Sequence, residues 1–289
     1  MTAGGALPRS RALIPAVLLA VAALLGAVGC GAGAAPGEGA GPGGATSPSA
    51  AAVDVPVAAP AGDGVTVAYE GNAQVELVSA AGRVLVDVYD PAALSAPATP
   101  QDVLLTTHAH DDHLSPGFQK DFPGEQLFVR AGTLEVPQAV VTSIPAAHSQ
   151  GDPLEAEGGS DYIFVVDIGG LRVVHFGDLG QNALTAEQLE AIGSVDVAVM
   201  QFDNSFSQMD AQNKKGFALM DQVKPRLVVP THFSAAALQE AAKRWPVLSS
   251  PKDWVTVTKD DLPAETSLLL LGEDGAFYAI QVEAAPVGW

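Results

Sequence analysis

Residues 107–113 read Thr-His-Ala-His-Asp-Asp-His and hold three of the six histidines in this chain of 289 residues. Imidazole nitrogens and carboxylate oxygens are the ligands that zinc, iron and manganese accept in proteins. His108 and His110 are two residues apart, so both side chains can point the same way from an extended segment. Asp112 and His113 come one turn later and can face a second ion. The run therefore predicts a loop that supplies ligands to one or two metal ions.

The loop follows an apolar segment, residues 101–107, whose pattern predicts a buried strand that runs into the histidines. Loops at strand ends are where α/β folds build their sites. The alternative is a polar surface loop in which Asp111 and Asp112 cap a helix that begins at Leu114. The density of histidines favours the metal site.

Three further candidate ligands, His148, Asp178 and His232, each follow directly on an apolar run. Taken singly, a histidine or aspartate after a strand is more often a turn or core residue. Their common position at strand ends predicts that they join the histidine loop. For His175, which is predicted to lie on a strand, contact with a ligand and plain packing are both open.

The rest of the globular part has the texture of a layered α/β domain. From Val65 onward, alternating residues predict hairpin-forming strands at 65–69, 73–78 and 83–88. A buried strand at 101–107 follows, and later strands are predicted at 126–129, 139–144, 162–166, 172–175, 195–201 and 226–229. Helices are predicted at 185–192, with a capping threonine, and at 211–223 and 235–245.

The histidine loop matches the H-x-H-x-D-H signature, and the chain resembles the metallo-β-lactamase superfamily over about residues 65–283. The resemblance implies an α/β fold, an αββα four-layer sandwich with the site at one edge between its two sheets. Many relatives carry histidine after the glycine where this chain has Asn72. The ascorbate-6-phosphate-lactonase-like branch is resembled in particular by the segment around Gly71 and by Val86-Asp87, Phe176-Gly177-Asp178 and Pro230-Thr231-His232-Phe233.

The resemblance also implies a ligand set and a reaction. The first metal would be held by His108, His110 and His148, the second by Asp112, His113 and His232, with Asp178 bridging them. Two divalent ions are expected, Zn²⁺ first, with Mn²⁺ or Fe²⁺ as alternatives. A hydroxide shared by the ions would attack a small ester, lactone, amide or phosphodiester. In this scheme Asp112 and Asp178 serve catalysis as well as metal binding.

Two loops, residues 151–160 and 202–215, are predicted to shape the substrate pocket. Asp203 and Asn204 end a strand and are expected to face the metals. Lys214 and Lys215 either bind an anionic group or, the more common situation, begin a solvated helix.

The first thirty residues are predicted to be an export signal. Arg9 and Arg11 are the only charged residues before Cys30, and an apolar run and small residues follow them. The segment Leu25–Cys30 resembles the bacterial lipobox, in which the cysteine carries lipid, although Ala27 stands where leucine is usual. The alternative is an ordinary signal peptide or an uncleaved anchor, but the run is shorter than the roughly 20 residues that span a bilayer.

The expected organisation is a lipoprotein signal peptide at 1–29, a flexible tether rich in Ala, Gly and Pro at 30–64, and the catalytic domain at 65–289. The protein would be exported and lipid-anchored through Cys30 to the outer face of the bacterial cytoplasmic membrane. A formal net charge of -19 excludes nucleic acid as a partner and leaves a small-molecule substrate. The alternative function is a non-catalytic metal-binding lipoprotein that binds a ligand or a partner.

Overall fold

The computed structural model describes residues 57, 59–155, 157–272 and 285–287. The chain divides into two units, Met1–Ala52 and Val53–Trp289, and the fold described below is that of the second unit. The predicted signal segment, Cys30 and most of the predicted tether lie outside the described residues. Within the described ranges, no helix combines the length and the apolar character needed to cross a bilayer.

The described elements are, in chain order, β1 (Val65–Tyr69), β2 (Val75–Ser79), β3 (Gly82–Val86), β4 (Val103–Thr106), α1 (Pro116–Asp121), β5 (Glu125–Phe128), β6 (Gly132–Val136), β7 (Ala139–Ala146), β8 (Asp161–Ile168), β9 (Leu171–His175), α2 (Ala186–Ile192), β10 (Val197–Gln201), α3 (Lys215–Val223), β11 (Leu227–Thr231), α4 (Ala235–Ala242), β12 (Val247–Ser249), β13 (Trp254–Val257), a 3₁₀ turn (Lys259–Asp261), β14 (Ser267–Leu270) and β15 (Ala285–Pro286).

Over the described ranges, these strands form two mixed sheets. The first has the order β13-β1-β2-β3-β4-β5, and the second has the order β15-β12-β14-β11-β10-β9-β8-β7-β6. Antiparallel hairpins join β1 to β2 and β2 to β3, whereas β3, β4 and β5 are parallel. In the second sheet β7, β8 and β9 are antiparallel, and β9, β10, β11 and β14 run parallel.

Alternation along the strands creates the layers. On β4, Val103 and Leu105 pack in a core between the two sheets, and Leu104 packs on the opposite face, in a cluster with Phe118 and Phe122 at α1. The strands of the second sheet likewise face the inner core on one side and α2, α3 and α4 on the other. The αββα prediction is therefore confirmed.

All ten predicted strands are present, with ends shifted by up to two residues. The helix predicted at 211–223 begins only at Lys215, because a turn occupies the residues before it. Asp210 Oδ1 accepts hydrogen bonds from the backbone N–H groups of Gln212 and Asn213, and Lys214 has a left-handed φ of 58°. Thr185 caps α2 as predicted, with Gln188 completing a capping box.

Glu70, just after β1, gives a prediction about stability and pH. Burial, followed by the nearby carboxyl groups of Glu76 and Asp253, raises its pKa from 4.5 to about 9. Because the folded-state pKa lies above the unfolded value, the native state loses stability as the pH rises from about 4.5 towards 9. We expect Glu70→Gln to raise the free energy of unfolding at pH 8 by on the order of 1–2 kcal/mol, and hardly at all at pH 4.5.

Urea unfolding of both proteins at several pH values measures this difference. Glu125→Gln, at an exposed position on β5, is the matched control and should give no pH-dependent gain. An equal gain from Glu70→Gln at pH 4.5 and pH 8 would contradict the assignment.

Candidate metal centre

The seven candidate ligands meet at the edge of the sandwich where strands of both sheets end. β4 leads into the histidine loop of residues 107–113, while β7, β9 and β11 lead to His148, Asp178 and His232. The ligand atoms form two groups, each lying within 4.8 Å. The first group is His108, His110, His148 and Asp178, and the second group is Asp112, His113 and His232.

Asp178 lies between the two groups. Its Oδ2 atom is 3.8 Å from Nε2 of His108 and 3.4 Å from Nε2 of His148. Its Oδ1 atom is 3.3 Å from Nε2 of His113 and 3.5 Å from Nε2 of His232. One carboxylate oxygen thus faces each set of imidazoles, which is the arrangement of a bridging ligand.

The atoms that converge here suit a cation. His148 Nε2 and Asp178 Oδ1 are buried and have no hydrogen-bond partner among the described residues. Nε2 of His113 and Nε2 of His232 are only 3.3 Å apart, and Nε2 of His108 is 3.1 Å from Nδ1 of His110. Buried polar atoms without partners cost about 1–3 kcal/mol each, and divalent metals bound by lone pairs would satisfy them. The donor set therefore fits metal ions.

Protonation in the centre also suits metal binding. Burial alone would raise the pKa of Asp178, but the surrounding histidines, His113 first, hold that pKa well below its usual range. Burial, with the neighbouring His113, lowers the pKa of His108 to about 3. His113 is the exception, because Asp87 and Asp178 overcome burial and raise its pKa. The same two carboxylates would attract a metal cation in place of that proton.

Asp87, fully buried after β3, fixes the orientation of one histidine in each group. Its Oδ2 accepts a hydrogen bond from Nδ1 of His113 at 2.8 Å, which leaves Nε2 of His113 to face Asp178. Oδ2 also accepts from the hydroxyl of Thr107 at 2.8 Å. Since that hydroxyl proton goes to Asp87, Thr107 Oγ1 accepts from Nδ1 of His108, 3.0 Å away. When each ring is neutral, these contacts place its proton on Nδ1 and leave Nε2 unprotonated towards the centre.

Asp161, the first residue of β8, is a neighbour of the centre that the sequence reasoning missed. It is fully buried, its Oδ1 lies 3.4 Å from Nδ1 of His108, and neither oxygen has a hydrogen-bond partner among the described residues. Gly177, with a φ of 53°, makes room for it, because a Cβ there would collide with Asp161 Oδ1. A charged residue at the start of a mostly apolar strand was the available signal.

His175 belongs to neither group. Its Nδ1 accepts from the backbone N–H of Gly177 at 3.1 Å, and its Nε2 donates to the carbonyl of Ala73 at 2.9 Å. The ring therefore fixes the turn that leads to Asp178 through two hydrogen bonds to the backbone. Of the two roles left open above, this is packing and not contact with a ligand side chain.

The loop of residues 202–210 holds Asp178 from outside. Asn204 Nδ2 donates to Asp178 Oδ2 at 2.7 Å, and Ser207 Oγ donates to the carbonyl of Asp178 at 2.9 Å. Asn204 thus contacts the centre, as expected. Asp203 instead accepts a short hydrogen bond from Ser234, the residue that caps α4.

The expectation of a solvated helix start holds for Lys214, which is exposed at the N-cap of α3, and is wrong for Lys215. Lys214 is turned towards Glu240, 3.4 Å away. Lys215 is buried, and its Nζ donates to the carbonyls of Gly180 and Ser207, both at 2.9 Å. Lys215 is thus a tie between the loop of residues 202–210 and the turn after Asp178.

Replacing Lys215 should loosen this tie. Lys215→Met keeps the apolar stem but leaves two buried carbonyls without a donor, so we expect a loss of about 1–3 kcal/mol in the free energy of unfolding. Urea denaturation measures it, and Lys214→Met, which removes only an exposed ion pair, should cost less than about 1 kcal/mol. Equal effects of the two changes would refute the role of Lys215.

Comparison with known proteins agrees with this geometry. A family model described as a β-lactamase superfamily domain matches residues 62–232, which is more than half of the chain. The chain belongs to the metallo-β-lactamase superfamily. The match includes all seven candidate ligands.

Several relatives of this superfamily member are named as UPF0173 metal-dependent hydrolases. The protein of Thermococcus onnurineus is 26% identical over 235 residues, which is 72% of this chain and 98% of that protein. A protein of Thermus thermophilus is 27% identical over 195 residues, covering 59% of this chain and 84% of the relative. Together with the histidine and aspartate cluster, these matches identify a metal-dependent hydrolase.

Among solved structures, similarity extends to a protein from Thermotoga maritima that is named as a Zn-dependent hydrolase of the metallo-β-lactamase superfamily. The TM-score is 0.54 at 18% sequence identity, and the match covers 71% of this chain and 98% of that one. At this identity the likeness concerns the fold alone.

Proposed function

We propose that this protein holds two divalent metal ions and hydrolyses a small ester, lactone, amide or phosphodiester. The observation that carries the proposal is the position of Asp178, with one carboxylate oxygen facing each group of histidines. A single metal site would need only one of these oxygens.

Each ion would have its own ligands. His108, His110 and His148 would hold the first ion, Asp112, His113 and His232 the second, and Asp178 would contact both. Sites rich in imidazole nitrogen suit Zn²⁺, with Mn²⁺ or Fe²⁺ as alternatives. Bound divalent ions supply the means to activate water near neutral pH, by lowering its pKa from 15.7 to about 7.

The chain's own groups prepare the centre for that chemistry. Asp87 and Thr107 select the tautomer of the neutral His113 and His108 rings in which the proton is on Nδ1 and the ligand nitrogen Nε2 is free. Asn204 holds Oδ2 of Asp178 on the side of the first group. His110 is exposed and Asp112 partly exposed, so the centre is open to a small molecule from the side of the histidine loop.

A chelator experiment on the full chain tests this proposal. We expect about two metal ions per chain, with hydrolysis of a chromogenic ester, lactone or phosphodiester that disappears on dialysis against chelator and returns with Zn²⁺. Turnover that is insensitive to chelator would refute the proposal. Bound metal without turnover on any of these classes would favour the non-catalytic metal-binding lipoprotein.

We further propose that the protein acts outside the cell, on a lipid anchor at Cys30 on the outer face of the cytoplasmic membrane. The basic start, the apolar run and the lipobox-like segment ending at Cys30 support this. Cys30→Ser should move the protein from the membrane fraction to the soluble fraction of a bacterial host. Recovery of both forms in the membrane fraction would argue for an uncleaved anchor instead.

The segments Val86-Asp87 and Pro230–Phe233 support a position near the ascorbate-6-phosphate-lactonase-like branch. This assignment predicts lactone hydrolysis, so a lactone belongs in the substrate panel. Absence of lactone turnover in a preparation that hydrolyses esters would count against the branch and not against the hydrolase.

A further inference from the structure

A cleft of about 510 Å³ opens directly beside the second group. Its lining includes His232 from that group, and its other walls are Tyr69, Gly71, Asn72, Tyr89, Asp203 and Phe233. The backbone N–H of Asp203 donates to the carbonyl of His232 at 2.6 Å, which fixes Asp203 next to the candidate ligand. A larger cavity, of about 680 Å³, contains none of the seven candidate ligands.

The residues that line this cleft favour a cation over an anion. It carries three aromatic rings, from Tyr69, Tyr89 and Phe233, and one carboxylate, from Asp203, but no lysine or arginine. The hydroxyl of Ser234 donates a hydrogen bond to Oδ2 of Asp203, and the described residues offer no donor to Oδ1 of Asp203. Aromatic faces and an unshared carboxylate oxygen attract cations and disfavour anions.

The charged groups around the cleft also favour a positively charged ligand. Asp90 follows Tyr89 in the chain, and after burial its carboxylate is the largest cause that raises the pKa of the Tyr89 hydroxyl. Lys214 and Lys215, which the sequence made candidates for an anion, are turned to Glu240 and to backbone carbonyls.

We propose that the substrate of this hydrolase carries a positively charged amine, which binds in this cleft between Asp203 and the aromatic rings. The inference rests on the proposed hydrolytic function. Water would add its OH to the acyl carbon and a proton to the released alcohol or amine, while the charged amine stays unchanged and only positions the substrate. Substrates with a phosphate or carboxylate at the same place would bind poorly.

Three chromogenic esters that differ only in one terminal group test the proposal on the full, Zn²⁺-loaded chain. The groups are ammonium, methyl and carboxylate. We expect kcat/KM to be at least about tenfold higher for the ammonium ester than for the carboxylate ester, and the ratio to shrink as salt is added. Asp203→Asn should reduce the ratio about tenfold, whereas Asp121→Asn, at the exposed end of α1, should leave it unchanged.

A binding measurement separates this inference from the proposed function. Phenethylammonium should bind the full chain more tightly than 3-phenylpropionate in calorimetry, whether or not any ester is hydrolysed. If Asp203→Asn disturbs the contact with Ser234 and fails to fold, Tyr89→Leu replaces it, and the loss of its ring should weaken phenethylammonium binding severalfold. The cleft assignment would be overturned if the carboxylate ester were hydrolysed as well as or better than the ammonium ester. It would also be overturned if phenethylammonium and 3-phenylpropionate bound equally well. Neither result would contradict the proposed hydrolytic function. Amine-selective binding without hydrolysis of any ester would support the cleft assignment and overturn the proposed hydrolytic function.

Discussion

Asp178→Ala should lower kcat/KM by about 1000-fold or more and leave fewer than two metal ions on each chain. The reason is geometric, because Asp178 is the side chain whose two oxygens serve both groups. Its removal leaves His108 and His148 on one side, and His113 and His232 on the other, without their shared anionic ligand. Loss of metal-derived stabilisation worth several kcal/mol corresponds to a rate loss of this size.

Metal content and kinetics must be measured on the same preparation. Asp178→Asn is the informative partner, since it keeps the shape and one acceptor oxygen, and we expect an intermediate metal content. Asp121→Asn serves as the control for a carboxylate lost from the surface. An Asp178→Ala protein that binds two ions at wild-type affinity and retains activity would contradict the proposed function.

The candidate ligands were predictable because the information lies close together in the sequence. His108, His110, Asp112 and His113 share one loop, and the other three each follow an apolar run that forms a strand. The parallel strands β9, β10 and β11 end at one edge of their sheet. Proximity of distant residues therefore followed from topology once the strands were recognised.

What escaped prediction depends on contacts between distant parts of the chain. β13 pairs with β1, and the hydroxyl groups of Thr66 and Thr256, 190 residues apart in the sequence, share a hydrogen bond. No local sequence pattern predicts this pairing. Lys215 resembled a solvated helix start until two carbonyls from other turns were brought to its Nζ. Asp161 is one of two aspartates on a mostly apolar strand, and its proximity to His108 comes from the meeting of the two sheets.

Asp87 is the second position where a large effect is expected, although it contacts neither substrate nor metal in the proposed scheme. Asp87→Asn keeps one acceptor for the backbone N–H of Thr107 but puts an amide N–H₂ where Oδ2 accepted from His113 and Thr107. His113 would then carry its proton on Nε2, facing the centre. The hydroxyl of Thr107 would turn to donate to Nδ1 of His108, and the proton of the His108 ring would then lie on Nε2 as well. We expect metal affinity to fall about 10–100-fold.

Thr107→Val gives the matched comparison, because it removes the relay to His108 and leaves the contact between Asp87 and His113 in place. Stepwise competition with a chromophoric chelator should show that Thr107→Val weakens one of the two metal-binding steps, whereas Asp87→Asn weakens both. Excess Zn²⁺ should restore most of the activity of either variant, because a tautomer can be driven back by mass action but a lost ligand cannot. If Asp87→Asn bound both ions as tightly as the native chain, the two hydrogen-bond relays would not be what orients these histidines.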